Sequence, residues 1–212
     1  MLEAGRINDI RIHQVSTDEV FGSLRPESKE IFNENTKYDP KNPYSATKAA
    51  ADHLVRAYVN TYGLKATISN CSNNFGPNQH VEKLIPKTIL NALSGKKVPV
   101  YGSGMNIRDW IYVEDHCSGI DAVITRGRMG ETYLIGARNE KTNLEIIKLI
   151  LSKLRKSENL IEFVEDRKGH DYRYSLDPSK IERELGWSPS CSFDKAIAET
   201  IDFYGKKFNM SM

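Results

Sequence analysis

The sequence has few cysteines, almost no net charge and no long hydrophobic run. Its longest uninterrupted apolar run has four residues, Trp110 to Val113, whereas a membrane-spanning helix needs about 20 and a signal-peptide core about 7–15. The sequence therefore predicts neither a membrane helix nor an export signal. Thirty Lys and Arg against 28 Asp and Glu leave a net charge of +2. This balance excludes a general nucleic-acid or membrane-surface binder, because such proteins present a strong positive field.

The three cysteines, Cys71, Cys117 and Cys191, are odd in number and widely spaced. This pattern matches neither a disulfide framework nor a metal-ligand pair, and the five histidines also lack metal-ligand spacing. We therefore expect reduced thiols in a cytoplasmic protein and no metal site.

Apolar periodicity predicts alternating strands and helices, which indicates an α/β fold. A chain of 212 residues is long enough for one large or two small domains. Strands are predicted over residues 10–15, 66–68, 98–101 and 132–135. Helices are predicted over residues 44–62, 82–93, 114–125, 143–154 and 193–208. Residues 28–43 are predicted to form a surface excursion.

Tyr44 and Lys48 lie four residues apart in a predicted helix and therefore on one face. An ammonium beside a phenol favours the phenolate, so this pair predicts a tyrosine able to deprotonate a substrate hydroxyl. The alternative is an ordinary exposed helix face, because such pairs also arise by chance.

Four consecutive polar residues, Ser16, Thr17, Asp18 and Glu19, follow the first predicted strand. Open α/β sheets bind ligands at the carboxyl ends of their strands, and two adjacent carboxylates can take opposite protonation states. This pattern predicts an acid–base pair. A helix N-cap or a turn is the alternative.

Lys83, Arg108, Arg167 and His170 lie beside loops or element ends and are candidate phosphate contacts. Singly, each could equally be a solvated or ion-paired side chain. Gly102 and Gly104 follow a predicted strand without a third glycine, so they predict a turn rather than a dinucleotide-binding loop.

Taken in order, these motifs resemble those of the dTDP-glucose 4,6-dehydratases, which belong to the extended short-chain dehydrogenase/reductase family. The resemblance spans nearly the whole chain. It rests on the motifs STDEVFG from Ser16, PYSATK from Pro43, NCSNNFGP from Asn70, EKLIP from Glu82, IRDW from Ile107, YVEDH from Tyr112, DRKGHD from Asp166 and ELGW from Glu184.

The resemblance implies a reaction that uses NAD and a nucleotide-activated glucose. Tyr44 would take the proton of the C4 hydroxyl while hydride passes to NAD, and Lys48 would hold the tyrosine's charge state and the nicotinamide ribose. Thr17 would hydrogen-bond the same hydroxyl. Glu19 would then remove the C5 proton and Asp18 would protonate the departing C6 hydroxyl, after which hydride returns to C6.

The resemblance also implies the residues that bind the two ligands. Asn74, with Tyr44 and Lys48, would lie by the cofactor. Thr17 would contact the nucleotide sugar together with Asn73, Lys83, Leu84, Pro99, Tyr101, Arg108, Asn143, Arg167 and His170. A homodimer is implied through the helix that includes Tyr44 and its neighbouring helix. Residues 49–51 are all alanine and would allow close approach of helices, the alternative being that they face the protein's own sheet.

The implied fold is the C-terminal part of a Rossmann-type doubly wound sheet with a smaller α/β substrate-binding region. Residues 1–80 would form the remainder of the Rossmann-like domain with the catalytic residues, and 81–212 mainly the nucleotide-sugar-binding region, interleaved with the sheet. The family's N-terminal glycine-rich turn is missing from this sequence. We hypothesise that the intact gene is longer, interrupted or completed by a separate chain, and that these residues alone have little activity.

Other functions stay open at this stage. A UDP-sugar 4,6-dehydratase or epimerase shares the tyrosine and lysine. A nucleotide-sugar-binding remnant or half-enzyme would keep the substrate residues without holding NAD.

Overall fold

Strands and helices alternate through residues 1–208, the part of the chain that the computed structural model describes. The strands are β1 (Ile12–Thr17), β2 (Ala66–Cys71), β3 (Asn73–Phe75), β4 (Val98–Tyr101), β5 (Ile107–Tyr112), β6 (Thr132–Ile135), β7 (Glu140–Thr142) and β8 (Ile161–Val164). The helices are α1 (Leu2–Ile7), α2 (Pro43–Tyr62), α3 (Leu84–Leu93), α4 (Val113–Arg126), α5 (Asn143–Lys153), α6 (Ser179–Leu185) and α7 (Phe193–Lys207). The α/β class predicted from periodicity is confirmed.

The principal sheet is parallel and has the order β1-β2-β6. Its central strand β2 is buried from Ala66 to Asn70, as expected for a parallel strand covered on both faces. The register pairs Thr17 with Cys71 and Cys71 with Ile135. The carboxyl ends of all three strands therefore meet at one edge of the sheet.

Two smaller sheets extend this edge. In one, β5 pairs with β3 in parallel and with β7 antiparallel; in the other, β4 pairs with β8 in parallel. Because only Ser72 separates β2 from β3, the second sheet starts where the first one ends. Both sheets thus contribute side chains to a common region.

Apolar packing holds the helices against these sheets. The largest core cluster joins α3, α5 and α7 with β4 and β5 through residues such as Ile89, Ile146 and Tyr204. On the principal sheet, Val55 of α2 packs against Ala66 and Ile68. The other face of that sheet is covered by α4, so α2 and α4 sandwich the strands whose ends form the site.

The predicted helices are confirmed to within two residues at each end, and the strands over 98–101 and 132–135 have their predicted bounds. The first strand runs two residues later than predicted, because Ser16 and Thr17 still pair with β2. The second continues through Cys71, three residues beyond its predicted end at residue 68. Gly102 and Gly104 form the predicted turn, both with positive φ.

Four strands, β3, β5, β7 and β8, and the short helix α6 were not predicted. The clearest case is β5, in which Arg108 and Asp109 interrupt the apolar pattern although both are buried in the structure. Within residues 1–208 no helix is both long and apolar enough to cross a lipid bilayer.

A polar layer lies between the principal sheet and α4. The two ring nitrogens of His13 lie 2.9 Å from Thr67 Oγ1 and 3.0 Å from Ser69 Oγ, and His116 Nδ1 lies 2.8 Å from Asn74 Oδ1. The pKa of both histidines is lowered to about 4, by burial for His116 and by burial together with the charges of Arg11 and His116 for His13. Both rings are therefore neutral in the folded protein at neutral pH.

This layer predicts acid sensitivity. Each histidine has a folded-state pKa below its unfolded value, so the unfolded state binds more protons as pH falls from about 6.5 toward 4, and each lowers the free energy of unfolding by up to about 1.4 kcal/mol per pH unit. We expect His116→Gln to reduce this slope between pH 6 and 4.5, measured by urea unfolding. Equal slopes in the variant and the unsubstituted chain would contradict this account.

Candidate active site

The residues that follow β1 form the centre of the site. Thr17 caps a short 3₁₀ turn over Asp18–Phe21, and its hydroxyl accepts a hydrogen bond from the Glu19 backbone N–H at 3.3 Å. The N-cap that sequence offered as an alternative is thus present. It presents two adjacent carboxylates at the carboxyl end of a parallel strand, where ligands bind in such sheets.

The two carboxylates occupy different environments. Asp18 is 2% exposed, and burial, with the nearby charge of Glu19, raises its pKa to about 8. Glu19 is half-buried, lines the adjacent cleft and accepts a hydrogen bond from Asn42 Nδ2 at 3.3 Å. Asp18 is therefore mostly protonated at neutral pH and can donate a proton beside a carboxylate that faces the cleft.

Helix α2 brings Tyr44 to the same place. Asn42 caps the helix in a reciprocal capping box with Ser45, and Pro43 occupies its first turn. Tyr44 then lies in the first turn, 54% exposed, close enough to Thr17, Asp18 and Glu19 for them to influence its ionisation. The helix start is thus fixed by local sequence rather than by packing alone.

The predicted lowering of the Tyr44 pKa by Lys48 is wrong for this structure. Burial and the charge of Glu19 raise the pKa of Tyr44, and the Thr17 hydroxyl only partly opposes this rise. Lys48 Nζ instead donates a hydrogen bond to the Val15 carbonyl at 2.6 Å. The ammonium lies on the predicted side of the helix but is directed at the backbone of β1.

The side chain of Asn74, predicted to lie by a cofactor, makes its hydrogen bonds inside the protein. Its Oδ1 faces His116 Nδ1, and its Nδ2 donates to the Ser72 carbonyl at 3.0 Å and to Cys71 Sγ at 3.5 Å. Since Oδ1 can only accept, His116 must carry its proton on Nδ1. Asn74 of β3 is thus hydrogen-bonded to His116 of α4 and stabilises the packing of these two elements.

A cleft of about 380 Å³ opens beside Glu19. Its wall includes every residue predicted to bind the nucleotide sugar except Thr17: Asn73, Lys83, Leu84, Pro99, Tyr101, Arg108, Asn143, Arg167 and His170. They come from β3, α3, β4, β5, α5 and residues 165–171, so folding brings together side chains that are far apart in sequence. The cleft wall does not include Thr17, Asp18, Tyr44 or Lys48. Glu19, which directly follows Thr17 and Asp18, is the predicted catalytic residue that lines the cleft.

Positive side chains form one wall of the cleft. Arg167 lies over the Tyr101 ring at 5.3 Å, and its Nη2 is 2.7 Å from His170 Nε2. Arg108 is 6% exposed and donates three hydrogen bonds to the carbonyls of Ile107, Tyr172 and Asp171. Within residues 1–208 its Nε–H and one Nη2–H donate no hydrogen bond, and a guanidinium can offer such donors to an anion.

The lining residues that the sequence prediction did not name include Asn42 and Tyr174. Asn42 contacts Glu19, and an N-cap asparagine before Pro43 and Tyr44 was a readable signal for its position. Tyr174 is buried with the Arg108 guanidinium 4.3 Å above its ring, and its hydroxyl donates to Asp171 Oδ2 at 2.5 Å. No local pattern marks Tyr174, because its neighbours become adjacent only through folding.

Comparison with known proteins finds relatives over nearly the whole chain. A family model described as GDP-mannose 4,6 dehydratase matches residues 1–200. The dTDP-glucose 4,6-dehydratase of Mycolicibacterium smegmatis is 51% identical over 205 residues, covering 96% of this chain and 62% of the relative. That of Neisseria gonorrhoeae is 53% identical over 205 residues, covering 92% and 59%.

A solved structure has the same fold. The dTDP-glucose 4,6-dehydratase of Bacillus anthracis, determined in complex with NAD, superposes with a TM-score of 0.94 at 46% identity, covering 98% of this chain and 66% of that one. The chain spans about three fifths of the length of the curated relatives named above.

The positive wall predicts an anion site. We expect Arg167→Ala to weaken binding of a nucleoside diphosphate by about 10-fold or more, the loss expected when a charged hydrogen bond is removed. Isothermal titration calorimetry measures this directly. Arg138→Ala is the matched control, because Arg138 pairs with Glu182 outside the cleft. Equal losses in the two variants would show that Arg167 acts only through overall charge.

Proposed function

The chain belongs to the GDP-mannose 4,6-dehydratase family, and on this basis we propose that it provides the catalytic part of an NAD-dependent dTDP-glucose 4,6-dehydratase. Such an enzyme converts a dTDP-activated glucose to the 4-keto-6-deoxy sugar by removing water across C5 and C6. A deoxysugar pathway is the usual setting of the family.

The proposal rests on one observation, the pair of neighbouring carboxylates in opposite environments at the edge of a cleft. Asp18 is buried with a pKa of about 8, and Glu19 faces the cleft. Elimination of water needs a base at one carbon and an acid at the departing hydroxyl. A simple epimerisation at C4 needs no such pair.

The residues of this chain suit one end of the cofactor. Tyr44 and Lys48 would lie at the nicotinamide and its ribose, since the Tyr44 side chain is exposed and therefore accessible to a ligand. Asn74 would stabilise the adjacent backbone through its hydrogen bonds inside the protein. Bound NAD would supply the hydride acceptor at C4 and the hydride donor at C6. Within residues 1–208 no glycine-rich strand–turn–helix is available to hold the pyrophosphate.

Each remaining step uses a side chain of this chain. With the Lys48 ammonium turned from the Val15 carbonyl toward the phenol, Tyr44 would be available as the phenolate and would take the proton of the C4 hydroxyl, which Thr17 holds by a hydrogen bond. The ketone formed at C4 acidifies the C5 hydrogen, and Glu19 removes it. Asp18, protonated at neutral pH, gives its proton to the C6 hydroxyl, which leaves as water, and Glu19 then returns a proton to C5 as the double bond between C5 and C6 is reduced.

The cleft fits the other half of the substrate. Lys83, Arg108 and Arg167 offer positive charge for a pyrophosphate, and Tyr101 offers a flat face next to Arg167. Because the relatives named above are dTDP-glucose 4,6-dehydratases, a thymidine nucleotide is the favoured ligand. Tighter binding of UDP-glucose than of dTDP-glucose would favour the UDP-sugar alternative.

We further infer that β1 receives a neighbouring strand, from a longer form of this chain or from a separate one. Ile12 N–H donates to the Lys65 carbonyl, so alternate residues of β1 direct their backbone groups away from β2, toward an edge that no other strand within residues 1–208 covers. Ile10 and Val15 beside this edge are 55% and 38% exposed. This addition would complete the cofactor site.

We also propose a homodimer through α2. Leu54 and Tyr62 are each 57% exposed on this helix. Ala50, one helical turn before Leu54, is exposed as well. Ala49, by contrast, faces the protein's own core. Small and apolar side chains on one exposed face allow two such helices to approach closely.

The two carboxylates can be tested separately. With NAD and dTDP-glucose in deuterated water, Glu19→Gln should lose deuterium incorporation at C5 and keto-sugar formation together, each by about 10²-fold or more. Asp18→Asn should keep the C5 exchange and lose only the release of water. In the unsubstituted chain, the rate should fall above pH 8 as Asp18 deprotonates. Mass spectrometry follows both products.

Glu158→Gln is the control, because Glu158 pairs with Lys148 far from the cleft. Calorimetry with NAD, with and without dTDP-glucose, decides between the alternatives. Sugar-nucleotide binding without NAD binding would indicate a half-enzyme or remnant, and turnover unaffected by either carboxylate substitution would refute the mechanism.

The dimer is tested by one charge. Leu54→Glu should convert a dimer to a monomer in light scattering, because a carboxylate at the centre of an apolar interface is costly to bury. Ile124→Glu, on the exposed side of α4, should leave the mass unchanged. A monomeric unsubstituted chain would contradict the dimer proposal.

A further inference from the structure

A buried carboxylate lies beneath the site and takes no part in the chemistry described above. Asp52 of α2 is fully buried. Its Oδ2 accepts hydrogen bonds from Ser16 Oγ at 2.7 Å, from Tyr38 OH at 2.9 Å and from Asn70 Nδ2 at 3.4 Å. One oxygen atom therefore joins three separate segments of the chain.

These segments are the ones that position the reacting groups. Ser16 directly precedes Thr17 and Asp18, and Asn70 Nδ2 also donates to the Thr17 carbonyl at 3.0 Å. Asp52 itself lies one helical turn beyond Lys48 and two beyond Tyr44. The Asp52 carboxylate thus links the ends of β1 and β2 to the helix that includes the tyrosine.

Arg56 extends this set of hydrogen bonds to the third strand of the sheet. It lies one turn further along α2, donates to Tyr38 OH at 2.8 Å and lies 4.8 Å from the centre of the Tyr38 ring. The same nitrogen donates to Thr132 Oγ1 of β6 at 3.2 Å. Asp52 is thus linked through Tyr38 and Arg56 to β6 as well as to β1 and β2.

Apolar packing alone does not fix the position of α2 along its axis. The contacts of Val55 with Ala66 and Ile68 are non-directional, so they permit a small slide. Hydrogen bonds to a single carboxylate oxygen are directional and oppose it. A displacement of about 1 Å at a reacting group costs about 10²-fold in rate.

We propose that Asp52 is a positioning residue that sets the Tyr44 hydroxyl against Thr17 by fixing α2 to the ends of β1 and β2. Asp52 does not line the cleft and so does not touch the substrate. This inference rests on the proposed function for its catalytic readout, while the geometric part is independent of that function.

The catalytic test separates kcat from KM. Asp52→Ala should lower kcat for dTDP-glucose about 10²-fold while KM changes little, because the residues of the cleft wall do not lie on the helical turns around Asp52. Asp52→Asn retains an oxygen acceptor and should restore most of the loss. Ser16→Ala removes a single donor and should give a smaller fall in kcat in a chain that stays folded.

Asp115→Ala is the matched control. Asp115 is also a buried carboxylate with three donors, the backbone N–H and hydroxyl of Ser190 and the N–H of Cys191. Its loss should reduce thermal stability without lowering kcat. An Asp52→Ala variant with unchanged kcat, or one that loses kcat only as much as Asp115→Ala, would overturn the proposal.

Hydrogen exchange tests the positioning even in a chain without turnover. Amides of residues 17–19 and of the first two turns of α2 should exchange faster in Asp52→Ala and in Ser16→Ala than in Asp115→Ala. Unchanged exchange at these amides would refute the positioning role. Absent turnover in the unsubstituted chain, with the exchange effect present, would refute the proposed function of this chain alone and leave the positioning role supported.

Discussion

The parallel register between β1 and β2 is the constraint on which the rest of the site depends. Pairing Thr17 with Cys71 ends both strands at the same level, so the polar residues after each strand face one another. A shift of β1 by one residue against β2 would turn Ser16 away from α2, where Asn70 remains, and would direct its sequence neighbours at α2 instead. The acidic pair, the asparagines of β3 and the link to Asp52 all follow from this one alignment.

Burial then gives the aligned residues their chemistry. Asp18 has one oxygen near the Thr17 hydroxyl and another that is buried without a hydrogen-bond partner, an arrangement that a charged carboxylate would find costly. Protonation removes much of that cost, and the charge of Glu19 favours it further. Arg108 opposes the effect, so the raised pKa of Asp18 is a balance between a dry environment and a nearby guanidinium.

Sequence reasoning predicted the elements and residues whose signal is local. The helix over 44–62 has an N-cap, a proline in its first turn and a C-terminal glycine, and its bounds agree with the structure to one residue. The strand β5 was missed because Arg108 and Asp109 are polar and interrupt the apolar pattern. Both can be buried because hydrogen-bond partners distant in sequence satisfy them: the carbonyls of 171–172 for Arg108 and the backbone N–H groups of 137 and 139 for Asp109. Resemblance named the residues of the cleft, but it gave no sign that Lys48 donates to Val15 or that His116 holds Asn74. Those contacts depend on side-chain orientations, which the spacing of residues in the sequence does not predict.

Binding and chemistry are supported by different parts of the fold. The cleft wall is built on the small sheets and on α3 and α5, which pack on the largest apolar core. The proposed acid and base, Asp18 and Glu19, follow a strand of the principal sheet, and Tyr44 lies on α2. Only Ser72 separates the strands that lead from one part to the other. Because α2 packs on a different core from most of the cleft wall, a change beneath α2 can move the residues of the principal sheet without moving that wall, whereas Arg108 of the wall still lowers the pKa of Asp18. A site organised in this way can retain ligand binding when its catalytic alignment is incomplete, and the hydrogen bonds to Asp52 therefore act on rate rather than on affinity.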